Sequence, residues 1–450
     1  MTTTTDRDDA ETLAPTGSFE RARRPRFALP RGRRGGRKPV RRFMIVTHRW
    51  LSLVLGLVLL LISTTGALLL YRPELVHVMN HAAYSPSGGP ATVSYSQAFG
   101  TVETAHPGFK PTGVVLESGI YKVHNADYEE FWSVDPGTGK ILGHIGKPPK
   151  WVELMDNFHE CFFSCEGETG FVKVFNKAIP HTTWLGDEAD ITYGSLVLGI
   201  FGLLLLYLSL TGLWLWFPRP SQLKKSLSVR WRRGRFARDT DLHKVAGMIV
   251  LPAMVIWAVT GAGFELRPVE KAWYAVTPGH KLPEKPDPVS KKSKAPDIGI
   301  DAAVATAHTM FPADKVDSVD IPDPTDPTGV YYIWLGAGFD PYAKAEYPGD
   351  RAVVVDRHTG TGTVVYGSPS ESTAQDLWDS WSYPVHSGYI VNGWWRLIWL
   401  ALGLSPILLG VTGVSTWLVR RRTKKNRKKA AAAVASPVTS PVTSPVASAG

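Results

Sequence analysis

Cysteine is scarce: Cys161 and Cys165 are the only two in 450 residues. No Cys-x-x-Cys-His run occurs, which excludes covalent c-type haem attachment. Two thiols with only His159 and Glu160 beside them fall short of a zinc site of defined spacing. A phosphate-binding GxxxxGK[S/T] loop is absent, and no Gly-rich fingerprint follows a strand-like run. The chain therefore carries no nucleotide-hydrolysing or dinucleotide-binding domain of its own. Its long apolar runs contain no string of polar groups, which argues against an ion or metal path through them.

What is present is concentrated. A mean hydropathy of −0.07 hides four apolar runs, at 43–71, 193–217, 245–266 and 394–419. About 20 apolar residues cross a bilayer as helix, so each run is read as a span. No small-residue cleavage site follows the first run, so it is read as a retained span and not a leader. The net charge of +10 is just as localised. Residues 21–42 hold eleven Arg and Lys, 218–240 hold eight and 420–429 hold eight. Basic short loops stay in the cytoplasm, so both termini are expected inside a cell membrane that the chain crosses several times. Segments 72–192 and 267–393 are then outside, and they carry more acidic than basic residues. The basic stretches flank spans and have no domain of their own, so the expected partner is the lipid bilayer and not nucleic acid. Residues 1–41 read as a polar, disordered arm, 218–242 as a basic linker, and 420–450 as a basic and then low-complexity tail.

Two stretches match. His48, Thr65-Gly66 and Arg72-Pro73 mark the first; His243, Thr260-Gly261 and Arg267-Pro268 mark the second, every mark offset by 195 residues. Such a repeat reads as duplication of a membrane helix together with its histidine. The second and fourth runs also carry Thr-Gly pairs, Thr211-Gly212 and Thr412-Gly413. Small residues serve close helix packing or room for a flat ligand, and both readings stand. The outer segments repeat as well. Each offers a short helix (95–106; 301–310) and alternating strands. The strands are 113–116, 120–124, 130–134 and 140–144 in the first, and 316–321, 329–334, 352–356 and 362–366 in the second. The last two strands of each segment meet at an Asp-x-x-Thr-Gly turn, at Asp135 and at Asp356. The expected fold is a four-helix transmembrane bundle built as a parallel duplication. Two small α+β extracytoplasmic modules, at about 94–145 and 300–366, complete it.

Several of these residues together resemble the PepSY-associated transmembrane helix family. They are HRW-x-S-x-V-x-G from His48, TGLWLWFPR from Thr211, LHKVAG from Leu242, and PVHSG with VTGV from Pro384 and Val411. The resemblance spans about 42–422, and the outer modules resemble PepSY domains. The stretch NFHECFFSCEGETG departs from the commoner His-x-x-Leu-Leu pattern followed by Gly-Glu-x-Gly. The family includes iron-regulated membrane proteins, some of them haem-containing reductases of ferric siderophores. The resemblance thus implies electron transfer to an external ferric siderophore or chelate. The electrons would come from a cytoplasmic donor, such as a small acidic redox protein docking on the basic linker, or from a membrane quinol. The alternative it implies is a non-enzymatic protein that binds or regulates an extracellular ligand or protease.

Within that frame the histidines divide. His48 and His243 open equivalent spans at one depth, so two neutral imidazoles there are expected to hold one haem b iron, with Gly56 and Gly247 giving the ring room. A second haem b is expected near the outer face. The resemblance places His386 of PVHSG there and favours His159 as its partner, whereas spacing from Thr211 favours His181. Cys161 and Cys165, outside, are expected to form a small local disulfide. His77 and His81 read as interfacial surface residues, and His106, His124, His144, His280, His308 and His358 as surface. Arg49, Arg72 and Arg396 read as membrane-edge anchors or propionate partners.

Overall fold

The computed structural model describes residues 37–435, apart from 127, 129, 187–188, 218–219, 283–287, 337–350, 369–371 and 391–392. The arm up to residue 36 and the tail from 436 lie outside the described residues.

Helices and strands alternate in blocks along the chain, and the helices are numbered in chain order. They are α1 (Arg37–Val54), α2 (Gly56–Leu69), α3 (Arg72–Met79), α4 (Tyr95–Ala105), α5 (Lys150–Cys161) and α6 (Tyr193–Trp216). After them come α7 (Leu223–Ser226), α8 (Arg235–Glu265), α9 (Arg267–Val276), α10 (Ile300–Met310), α11 (Thr373–Asp379), α12 (Ser382–Ser387), α13 (Gly393–Gly403) and α14 (Ser405–Ala435). Among the described residues, three helical stretches are long and apolar enough to cross a membrane: α6, α8, and residues 394–432 of α13 with α14. Helices α1 and α2 make a fourth if taken as one span. Three departures from the sequence reading stand out. The first run is not one straight helix but bends by 63° at Leu55. Helix α1 begins at Arg37, inside the expected arm, and α14 runs on through the basic tail to Ala435.

The bend has a local cause. The Ser52 hydroxyl donates back to the His48 carbonyl at 2.7 Å and to that of Arg49 at 3.1 Å, and Gly56 follows one turn later. Back-bonding serine next to glycine is a common way to open a helix on one side. The break between α13 and α14 has another cause. Pro406 cannot continue the α13 ladder, and the Ile407 N–H turns to the Leu404 carbonyl at 3.1 Å. The Gly403 carbonyl so released accepts the Ser63 hydroxyl at 2.8 Å. An unpaired backbone group in apolar surroundings would cost several kcal/mol, roughly, and this bond removes that cost.

The apolar helices neighbour one another in a ring: α2 lies on α13 and α14, α14 on α8, and α8 on α6. On the remaining side Thr47 of α1 bonds Tyr207 of α6 at 2.6 Å. At the start of α13, the Arg396 guanidinium is 3 % exposed and bonds the Glu74 carboxylate, the Leu70 carbonyl and, at 3.4 Å, Tyr389 Oη. Read from sequence as an edge anchor or propionate partner, Arg396 ties α13 to α3, where Glu74 lies in the first turn.

At the end of the helices away from the basic linker lies one antiparallel sheet. Its strands are β1 (Gly113–Glu117), β2 (Ile120–His124), β3 (Phe131–Val134), β4 (Ile141–Ile145), β5 (Lys315–Asp320), β6 (Val330–Gly336), β7 (Arg351–Asp356) and β8 (Gly362–Tyr366). Their order is β4-β3-β2-β1-β5-β6-β7-β8. The two expected modules therefore do not stand apart. Strand β1 pairs β5 (Gly113 with Asp320, Val114 with Val319, Val115 with Ser318), which leaves neither half with an open inner edge. Alternate residues such as Val114, Val123, Val319, Ile333 and Val353 are fully buried with Val102 of α4 and Ala303 and Ala307 of α10 in one core. Ser94 caps α4 with a capping box to Gln97.

His124, expected at the surface, is completely buried at this junction. Its ring occupies the space that a side chain at Gly113 would need, and its Nε2 lies 3.4 Å from Asp320 Oδ1.

The two Asp-x-x-Thr-Gly turns match bond for bond. The Asp135 N–H donates to Lys140 O and the Gly139 N–H to Asp135 O; the Asp356 N–H donates to Thr361 O and the Gly360 N–H to Asp356 O. Gly139 and Gly360 take φ of 71° and 70°, which glycine adopts at no steric cost. Burial alone would raise the two carboxyls. Donors outweigh it and hold each at about 2: the N–H groups of Gly137 and Ser87 for Asp135, and those of Thr359 and His358 for Asp356. Depressed carboxylates add stability that is complete above their ordinary value of about 4 and is lost as pH falls towards the folded value. Thermal unfolding of the purified chain should thus fall between about pH 4 and about 2. Asp356→Asn should start lower at pH 7 and fall less over that window; an unchanged slope would contradict the assignment.

Candidate functional site

Four histidines share one kind of seat. Each imidazole lies against the glycine of a Thr-Gly pair on a neighbouring helix, with Nδ1 bonded to an acceptor on that helix. His48 of α1 meets α6: Nδ1 is 2.9 Å from Thr211 Oγ1, and a Cβ on Gly212 would stand 3.5 Å from Cε1. His243 of α8 meets α14: Nδ1 is 3.1 Å from both Leu409 O and Thr412 Oγ1, and a Gly413 Cβ would stand 3.5 Å from Cε1. His386 of α12 meets α8: Nδ1 is 2.8 Å from Thr260 Oγ1, and a Gly261 Cβ would stand 3.3 Å from Cε1. His159 of α5 meets α2: Nδ1 is 2.8 Å from Ile62 O, three residues before Thr65, and the ring fills the place of a Gly66 Cβ.

The threonines set the tautomer. Thr211, Thr260 and Thr412 each donate their hydroxyl hydrogen to the carbonyl four residues back, at 2.7 Å in all three. Each oxygen is then an acceptor for Nδ1–H. The carbonyls of Ile62 and Leu409 can only accept. All four rings therefore carry the proton on Nδ1 and the lone pair on Nε2, which is how a backbone or side-chain acceptor prepares histidine as a metal ligand.

Two of the rings gather as a pair: the His159 and His386 centroids lie 6.2 Å apart, with the ring planes tilted by 53°. Metal–imidazole bonds of about 2 Å on either side of one iron would place two centroids about 6 Å apart. Burial pushes the His386 imidazole down to about 3, with the neighbouring His159 adding to it. Burial lowers His159 too, partly offset by the Ile62 carbonyl. Both are neutral at pH 7, as ligands must be. The Trp257 and Trp399 indole N–H groups both donate to the His386 carbonyl, at 2.9 and 3.0 Å, and fix α12 in place. At the basic end, His48 on α1 and His243 on α8 occupy equivalent positions of the 195-residue repeat. One residue after His48, Arg49 Nε is buried and makes no hydrogen bond among the described residues; the same holds for Trp216 Nε1, four residues after Gly212.

A cavity of about 750 Å³ surrounds the His159–His386 pair. That falls within the roughly 300–1,000 Å³ of small-molecule and cofactor sites. Its walls are mostly apolar, with Ile62, Leu198, Phe201, Leu205, Phe264 and Trp399 among them, and Gly66, Gly202, Gly261 and Gly403 flatten them. Arg72, paired with Asp156 at 3.4 Å, and the carboxyls of Glu160 and Glu265 line it too. Sequence reasoning missed Glu265, which closes the third apolar run, and Glu160, read only beside the cysteines. It also left open what the Thr-Gly pairs do, although their recurrence in all four apolar runs was the available signal.

The structure brings His159, not His181, to His386. His181 sits exposed in a loop with φ of 65°. Cys161 and Cys165 are joined in a disulfide. His77 stacks on Tyr84, and His81 lies 3.4 Å from Ser85 Oγ. His106 and His144 flank Trp132 on the sheet. Among the described residues no group of three or more His, Cys, Asp or Glu could hold a bare metal ion. Paired imidazoles suit instead a metal whose equatorial ligands come with it, and the glycine-flattened cavity suits a planar group.

The chain matches a family model described as PepSY-associated TM region over residues 46–420. No curated protein matches it.

Proposed function

Because the chain belongs to the PepSY-associated TM region family, we propose that it is a haem b electron-transfer protein of the cell membrane. Electrons would pass from the cytoplasmic side to an external acceptor, a ferric siderophore or other ferric chelate. The observation that carries this reading is the shared seat of the four histidines: four Nδ1–H groups bonded, four Nε2 lone pairs left, and one pair at ligand spacing. The reading takes the helices as a duplicated four-helix bundle and the two halves of the sheet as fused PepSY modules. Positive charge at 218–240 and 420–429 supports reading that end and both termini as cytoplasmic. His48 and His243 would then hold the inner haem and His159 and His386 the outer one.

A haem bound at each pair supplies a one-electron carrier. The protein's own groups do the rest. Each Thr-Gly seat holds an imidazole in one tautomer and orientation, so that no rearrangement of ligands accompanies a change of charge. The largely apolar cavity wall would lower the polarity around the outer pair. Arg49, next to His48 in the chain, and Trp216, near Gly212, would offer donors to an anionic carboxylate at the inner one.

Vesicles test the function. The full chain, reconstituted in liposomes loaded with dithionite, should reduce an external ferric hydroxamate at a rate that scales with protein. Haem-replete protein that gives only the rate of empty vesicles would overturn the reading and leave a binding role.

A further inference from the structure

The loop behind His159 is built under constraint. Helix α5 ends one residue after Glu160, and the next two residues, Phe162 and Phe163, take φ of 47° and 65°. Bulky side chains rarely adopt these left-handed angles, and two in succession persist only where the surroundings impose them. Here the imposing contacts converge on the disulfide. Cys161 and Cys165 close a ring around the two phenylalanines and Ser164. Asn157, 1 % exposed, accepts the Cys165 N–H at 3.2 Å with its side chain and the Phe163 N–H at 2.8 Å with its carbonyl. Gly194, at the head of α6, packs on the Cys161 carbonyl and Ser164. The Phe162 ring lies 6.5 Å from that of Phe201, in the cavity wall.

His159 stands two residues before Cys161, in the last turn of α5. Its imidazole reaches Ile62 O across Gly66, where no slack exists: even a methyl group on Gly66 would overlap the ring. Closure entropy grows only with the logarithm of ring size, so so short a ring stabilises the whole chain least of any. Its effect is local, on the turn that ends α5.

We propose that the Cys161–Cys165 disulfide is the positioning element for His159. It holds the two-phenylalanine turn that fixes the end of α5, so the outer histidine pair assembles only in the oxidised chain. This rests on the reading of His159 and His386 as haem ligands. It also ties that site to the oxidising side of the membrane, where such a bond persists.

The test uses the full chain and the inner haem as an internal control. Denatured wild-type protein should take up iodoacetamide only after reduction, at two thiols; two free thiols in the purified chain would overturn the proposal. The Cys161→Ser/Cys165→Ser variant should keep the inner haem with its band and potential unchanged. Its outer haem should be lost, or should turn high-spin with a shifted potential, a signature that a general loss of stability does not give. Both haems unchanged would overturn the proposal. Should the variant lose both, folded wild type is treated with a phosphine reductant, which converts the disulfide to two thiols as the phosphine takes oxygen from water. After capping with iodoacetamide, only the outer band should change, and an unchanged outer band overturns the proposal. A wild type that carries one haem from the start would instead remove the outer-pair reading itself.

Discussion

Replacing His48 or His243 by alanine should each remove the same haem. The two lie on helices α1 and α8, yet each is seated alike on a helix of the next apolar run, α6 and α14. Loss of either leaves one imidazole facing the iron, and a bis-histidine haem held from one side is displaced or turns high-spin. Haem content should fall from two per chain to one in each single variant, and the double variant should fall no further. His386→Ala should remove the other haem and spare this one. Two α bands in the reduced spectrum, assigned by which variant deletes which, make the measurement. Loss of different bands in His48→Ala and His243→Ala would break the pairing.

The second large effect should come from a single methyl group. The seats differ in how much room they leave. At Gly66 an added Cβ would overlap the His159 imidazole, whereas at Gly212 and Gly413 it would stand 3.5 Å away, an ordinary contact. Gly261 lies between, at 3.3 Å from His386. Gly66→Ala should therefore cost the outer haem roughly 10–100-fold in affinity, as loss of a ligand's supporting contact does. Gly212→Ala and Gly413→Ala should keep the inner haem, and Gly261→Ala should fall between the two. Haem titration of the four variants ranks them. A ranking in which Gly212→Ala suffers as much as Gly66→Ala would mean that these glycines serve helix packing and not the histidines.

The inner pair was read from the sequence because a duplication writes both members at one offset. For the outer pair the resemblance pointed to His159 and spacing to His181, and the reason spacing misled is geometric. Spacing converts to distance only along one helix, and between His159 and α6 the chain folds back on itself. The Val172 N–H bonds Phe163 O at 2.8 Å and the Gly194 N–H bonds Phe175 O at 2.9 Å. Counting residues from Thr211 therefore favoured His181, which the fold leaves exposed. Other features needed both halves at once. The pairing of β1 with β5 depends on strands some 200 residues apart, each of which reads alone as an ordinary half-buried strand. His124 reads as a surface residue because it is polar; it is buried because Gly113 opposite it has no side chain. The bend at Leu55 follows from a serine hydroxyl turning back on its own helix, a choice that apolar periodicity does not record. Arg396 looked like an edge anchor because its partner Glu74 lies more than 300 residues away.

The central claim is that the four seated histidines hold two haems, and one measurement meets it most directly. The full chain, purified from haem-replete cells, is assayed for haem per chain and for its reduced visible spectrum. The account predicts two b-type haems, both six-coordinate, with split α bands. A colourless preparation, or one whose haem survives replacement of all four of His48, His159, His243 and His386, would contradict it.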